Sequence, residues 1–119
     1  MADYEDFTID QGADVALELH LQESNGNTKD LSAHSATATM KRSYNSVDSD
    51  EIISFTTAVA DPPTDGILIL SLTNEQTDTL NPRNRYVYDV ELSFIDIDGN
   101  TIIERILEGK IKVSPSVTR

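Results

Sequence analysis

Cysteine is absent from these 119 residues, so disulfides, zinc–thiolate sites and thiol nucleophiles are all excluded. Basic residues are scarce: 9 Lys and Arg stand against 21 Asp and Glu, giving a net charge of −12 and a pI near 4.3. Phosphate backbones are bound through a basic stripe, and a chain with this balance is not expected to bind nucleic acid. No apolar run approaches bilayer-spanning length, so no membrane contact is expected. The beginning, MADYEDFTIDQGAD, lacks the basic and apolar regions of a secretory signal. Gly-rich phosphate loops and G-x-S-x-G nucleophile motifs are missing as well. Internal repeats, linkers and low-complexity segments do not stand out. The expectation is one soluble domain spanning 1–119, with no catalytic constellation and no cofactor.

What the chain does contain is a period of two. Val15, Leu17, Leu19 and Leu21 alternate with Ala16, Glu18, His20 and Gln22, the pattern of a half-buried strand. Phe7 and Ile9 form a shorter strand before it. Asn25-Gly26 signals a turn, and Ala36, Ala38 and Met40 alternate with Thr37, Thr39 and Lys41. A strand over 51–59 puts Ile53, Phe55 and Thr57 in one phase, before Pro62-Pro63 breaks the chain. Ile67 to Leu72 is nearly continuously apolar, which suits a strand covered on both faces or lying at a subunit contact.

One helical signal interrupts the strands. Thr73 can cap residues 73–80, with Gln76 closing a capping box and Pro82 ending the run. Short strands with turn signals about every ten residues read as an antiparallel all-β sandwich of about seven strands.

The last two strands carry the most specific expectations. Tyr86, Tyr88, Val90, Leu92 and Phe94 alternate with polar residues and read as an inner face. A two-residue turn at Asp98-Gly99 sets them opposite Ile111, Gly109, Leu107, Arg105 and Ile103, with no bulge. Gly109 then leaves room for the Tyr88 ring, and Arg105 is an intruder that must snorkel or meet a carboxylate. An apolar strand, a helical connection and a tyrosine-bearing strand imitate the immunoglobulin tyrosine corner, with Tyr86 as the corner residue. The disulfide and tryptophan of antibody domains are missing, so only the immunoglobulin-like architecture carries over.

Candidate chemistry is thin. His20 and His34 could share a metal or serve as bases, but solvent-facing histidines are the plainer reading. DIDGN (96–100) starts like a calcium loop, yet Gly99 falls at the fourth position and Leu107 at the twelfth, so a hairpin turn explains it better. DSDE (48–51) reads as a solvated acidic loop. In the bulge-free register the outer face of the final hairpin carries Val87 and Ile106, and Ile95 faces Ile102 beside Ile97. These five residues form the candidate protein-interaction surface.

Longer segments carry a resemblance. Ile9-Asp10-Gln11-Gly12, Asp30-Leu31-Ser32, Met40-Lys41-Arg42-Ser43-Tyr44, RYVYDVEL (85–92) and RILEGKIKVSPSVTR (105–119) resemble a family of small virion proteins of tailed bacteriophages. The likeness covers most of the chain and is strongest in its final third. It is greatest to versions from contractile-tailed phages of cyanobacteria and other marine bacteria. Such proteins resemble the immunoglobulin-like N-terminal domain of phage baseplate upper proteins. NPRNRYVYD departs from the pattern, since relatives more often carry a glycine just before Arg-Tyr. The resemblance implies a non-enzymatic structural role in the virion, after synthesis in the host bacterial cytoplasm. The implied partners are other tail, baseplate or capsid proteins, or copies of itself, with tail or baseplate favoured over the head surface. The alternative expectation is a receptor- or glycan-binding adhesion module, calcium-assisted through the acidic loops and served by Tyr4 and Tyr44.

Overall fold

Fourteen residues of alternating or apolar character, Thr101–Ser114, pair with eleven more, Arg85–Ile95, in the hairpin that organises the fold. In the computed structural model, residues 3–23, 25–43 and 52–117 are described. Their strands are β1 (Asp3–Tyr4), β2 (Phe7–Asp10), β3 (Val15–His20), β4 (Ser35–Lys41), β5 (Ile52–Ser54), β6 (Thr56–Val59), β7 (Ile67–Leu72), β8 (Arg85–Ile95) and β9 (Thr101–Ser114). One sheet runs β1-β9-β8-β4-β5, with β2 also on β9, and the other runs β3-β7-β6. The two sheets form a β-sandwich, the architecture expected from the strand periodicity.

Burial explains which face of each strand turns inward. The three-stranded sheet sets Leu19 against Leu68 and Leu17 against Leu70, while the larger sheet supplies Ala38, Met40, Tyr88, Val90, Leu92, Leu107 and Ile111. Each fully buried aliphatic side chain contributes about 1.5–3 kcal/mol of transfer free energy. A one-residue slip of register would forfeit a whole row of these at once. The apolar run of β7 is only half used by this core: Leu68, Leu70 and Leu72 are buried, whereas Ile67 and Ile69 are half-exposed on the outer face.

Among the described residues nine strands form where about seven were expected. The strand expected over 51–59 is two strands within its described residues 52–59, because the chain changes sheets at Phe55. The Phe55 N–H donates to the Ala38 carbonyl at 2.9 Å, β5 stays on β4, and β6 moves to β7. The expected phase survives the crossover, with Phe55 buried and Ile53 and Thr57 half-buried.

The N-terminal strand is also split, at Glu5-Asp6. β1 and β2 share one parallel register on β9, Tyr4 to Glu108 and Phe7 to Ile111. Between them the Lys110 N–H donates to the Asp6 carboxylate at 2.9 Å, where an unbroken parallel ladder would use a backbone carbonyl. The Glu5 carbonyl instead turns towards β8 and accepts from the Tyr88 hydroxyl. A β-carbon on Gly109 would lie 1.9 Å from that carbonyl oxygen. The glycine thus makes room for the Glu5 backbone as well as standing opposite Tyr88.

The helical connection forms as the capping chemistry requires. Helix α1 (Asn74–Asp78) begins at Thr73, whose side chain accepts from the Gln76 N–H, while the Gln76 side chain accepts from the Thr73 N–H. Buried Thr77 donates to the Ala13 carbonyl at 2.8 Å and so ties the connection to the start of β3. The Tyr86 hydroxyl accepts from the Asn81 N–H at 2.9 Å, five residues back along the chain. That bond is the tyrosine corner. Tyr88, two residues on, occupies the place where an antibody domain carries its second cysteine.

Candidate docking surface

The turn between β8 and β9 is longer than its Asp-Gly dipeptide suggests. Asp96 N–H donates to the Asn100 carbonyl at 2.9 Å and Gly99 N–H to the Asp96 carbonyl at 3.0 Å, leaving Ile97, Asp98 and Gly99 as the loop. Gly99 takes φ 83°, the left-handed position that a three-residue hairpin loop provides. The Asp96 carboxylate accepts the Asp98 N–H at 3.0 Å and the Asn100 N–H at 2.8 Å, so it braces the turn from within. DIDGN is therefore a hairpin turn.

This turn corrects the expected register. Phe94 faces Ile102, Leu92 faces Glu104 and Ile95 faces Thr101. Farther along the hairpin the expected pairs do form: Val90 with Leu107, Tyr88 with Gly109 and Tyr86 with Ile111. A β-bulge between Val90 and Glu91 reconciles the two stretches, because Ile106 has no partner on β8. The bulge also resolves the intruder. Arg105 falls opposite Glu91 on the outer face, where it pairs with Asp89 at 3.3 Å and Glu108 at 3.5 Å. Both pairs are half-exposed and contribute little to stability.

The five expected interaction residues part company as a result. Ile106 is partly buried against the core, and Ile102 takes the inner phase opposite Phe94; neither lies on the outer face. Phe94 is itself covered by His34, the ring centroids lying 4.9 Å apart. Val87 remains outward and half-buried. Ile95 and Ile97 are exposed by 65% and 101%, and Ile103, which the bulge-free register turned inward, joins them at 62%. Ile103 faces Ser93, one diagonal step from Ile95 on the same face. Its clue in the sequence was Arg105, a charge in the supposed inner phase that a bulge relieves.

The tip is also isolated along the sheet. β4 follows β8 only to the Ser35–Ser93 pair, and β1 meets β9 only from Leu107 onward. No described strand flanks Thr101–Ile106 on the side away from β8. The molecule is accordingly elongated, at 49 × 28 × 22 Å.

Elsewhere the outer face of the larger sheet changes sign along its length. Arg85 stands opposite Lys112, Val87 stands between Lys41 and Lys110, and the Asp89–Arg105–Glu108 cluster follows towards the tip. A hollow of about 400 Å³ opens there over Thr39, Lys41, Val87, Asp89 and Arg105. A second, of about 870 Å³, lies over Leu21 and Ile106 with His20, Lys29, Glu104 and Arg105 around it.

The histidines lie on separate surfaces. His20 projects from β3 and meets Glu18 at 2.8 Å, whereas His34 bonds the Ser32 carbonyl and packs on Phe94. Among the described residues, no group of three His, Asp or Glu side chains could hold a metal ion. DSDE and Tyr44 lie outside the described residues.

No family model matches the chain, and no curated protein matches it. Among solved structures, one of murine CRIg is similar, with a TM-score of 0.54 and 17% sequence identity over 92% of each chain. At that identity the likeness is one of fold, and the chain is an immunoglobulin-like β-sandwich.

Proposed function

We propose that the chain is a non-enzymatic structural protein of a tailed-phage virion, which docks to a neighbouring virion protein through the tip of its β8–β9 hairpin. The resemblance of its sequence segments to small phage virion proteins supports the phage setting, and tail or baseplate is favoured over the head surface. The observation that carries the docking reading is the trio Ile95, Ile97 and Ile103, exposed together at the end of a hairpin that outruns its sheet. Apolar anchors supply most of the affinity at protein interfaces. The acidic remainder of the surface keeps free subunits soluble before assembly. A mass-spectrometric inventory of separated heads and tails of the encoding phage tests this reading. The chain is expected in the tail fraction at fixed stoichiometry, and its absence from particles would refute the proposal.

One observation favours a second reading, a glycan-binding adhesion module. The larger hollow pairs an apolar floor, Leu21 and Ile106, with the polar groups of His20, Lys29, Glu104 and Arg105. Such a mixture suits the face and hydroxyls of a sugar. A glycan array decides: saturable binding lost in Lys29→Ala would favour this reading over virion docking.

A further inference from the structure

The chain carries −12 overall, yet four of its nine basic residues, Lys41, Arg85, Lys110 and Lys112, gather at one end of the outer face of the larger sheet. Arg85 and Lys112 are direct cross-strand partners, a like-charge juxtaposition that disfavours the fold. None of the four has an ion pair among the described residues. Their acidic neighbours are engaged elsewhere: the Asp6 carboxylate accepts the Lys110 N–H, and Asp89 and Glu108, one pair farther along the face, hold Arg105. Half-buried Val87 sits between Lys41 and Lys110.

The other end of the same face has the complementary character. There the exposed Ile95, Ile97 and Ile103 adjoin Asp98 and Asp96 on the turn. Both ends belong to one face of one long hairpin, so two copies stacked face to face and antiparallel would satisfy both ends at once. A two-fold axis crossing the strands near Glu91 puts the Ile95 of each copy over the Val87 of the other. It also brings each Asp96–Asp98 turn to the other copy's Arg85 and Lys112. On the axis each Glu91 and each Arg105 lies over its own counterpart, so opposite signs meet there diagonally, Glu91 with the Arg105 of the other copy.

We infer that the chain pairs with a second copy of itself through this face, as a closed two-fold dimer. The contact is isologous, so it closes on itself and cannot propagate into a fibre. It also answers the repulsion between two chains of −12 each, because each basic end meets an acidic tip. The inference deepens the docking reading above, on which it rests, by naming the occupant of the tip.

The test is photo-crosslinking of the purified chain, concentrated at low ionic strength, with a benzophenone amino acid in place of Ile97. The expected product is a dimer joined from position 97 to the peptides carrying Arg85–Val87 or Lys110–Lys112 of the second copy. Its yield should fall at least about tenfold in Lys110→Glu/Lys112→Glu, since like charges across an interface repel strongly. Adding Asp98→Lys to that variant should restore it. All of these positions are exposed, and a circular-dichroism melt of each variant confirms folding. A monomer throughout, or a crosslink outside those peptides, overturns the dimer. The tip's role towards another virion protein is read separately, by incorporation into particles, and survives that result.

Discussion

The Tyr88 hydroxyl donates to the Glu5 carbonyl at 2.5 Å, directly beside the missing side chain of Gly109. One bond thus fastens the N-terminal strand to the inner row of β8, and the glycine makes the approach sterically possible. Gly109→Ala should drive the Glu5 backbone off β9 and cost about 1–3 kcal/mol, as overpacking does. Denaturant unfolding measures it, and amide exchange should show Glu5 and Lys110 losing protection first.

Burial is the main reason the Tyr88 hydroxyl ionises at a higher pH than an ordinary tyrosine, with the nearby Glu5 and Asp6 carboxylates adding to it. A folded-state value above the unfolded one favours the folded form while pH stays below the ordinary tyrosine value of about 10, and that contribution fades as pH rises past it. Loss of the bond to the Glu5 carbonyl should make the melting midpoint of Tyr88→Phe lower than that of the parent chain near neutrality. The gap should narrow in strongly alkaline buffer. A gap independent of pH would mean that the hydroxyl ionises alike in the folded and unfolded chain, and no gap near neutrality would mean that its bond contributes nothing.

Inner and outer faces of the hairpin predict opposite sensitivities. Leu92 is fully buried, and Leu92→Ala should cost about 2–5 kcal/mol. Ile103 is exposed, and Ile103→Ala should stay within about 0.5 kcal/mol of the parent. The Tyr86 corner falls between these, since Tyr86→Phe removes one part-buried acceptor and should cost about 1 kcal/mol. Urea titrations of the three variants measure all of this.

Calcium should leave stability unchanged, because the Asp96 carboxylate already accepts two backbone N–H groups. A specific site would raise the melting midpoint in proportion to RT ln(1 + [L]/Kd). Differential scanning fluorimetry with millimolar calcium is expected to show no shift, while Asp96→Ala alone should loosen the turn. A calcium-dependent rise abolished by Asp96→Ala would restore the cation-loop reading.

Much of this fold was legible because the strands are short and strictly alternating. Leu17 and Leu19, or Val90 and Leu92, have one possible inward phase, and Thr73 with Gln76 announces a helix start through a local hydrogen-bond exchange. The hairpin register was harder. Asp98-Gly99 is compatible with two loop lengths, and the choice was made by the Asp96 side chain, which caps the longer loop. The longer loop then required a bulge at Ile106, which turned Ile102 and Ile106 inward and Ile103 outward. Local chemistry fixed the elements, but the candidate docking residues depended on a one-residue shift that only the paired strands determine. The break at Phe55 has the same origin, since moving from one sheet to the other leaves the hydrophobic phase unaltered.

The proposed docking makes the hairpin tip an assembly surface and not part of the core. The most direct measurement is incorporation of Ile95→Thr/Ile97→Thr/Ile103→Thr into particles of the encoding phage, quantified per particle by mass spectrometry. Threonine keeps the β-branch and removes apolar surface. Docking through the tip predicts a variant whose melting midpoint matches the parent within a few degrees but whose copy number per particle falls at least about tenfold, as loss of interface anchors entails. Incorporation at the parental copy number by the folded variant would contradict it.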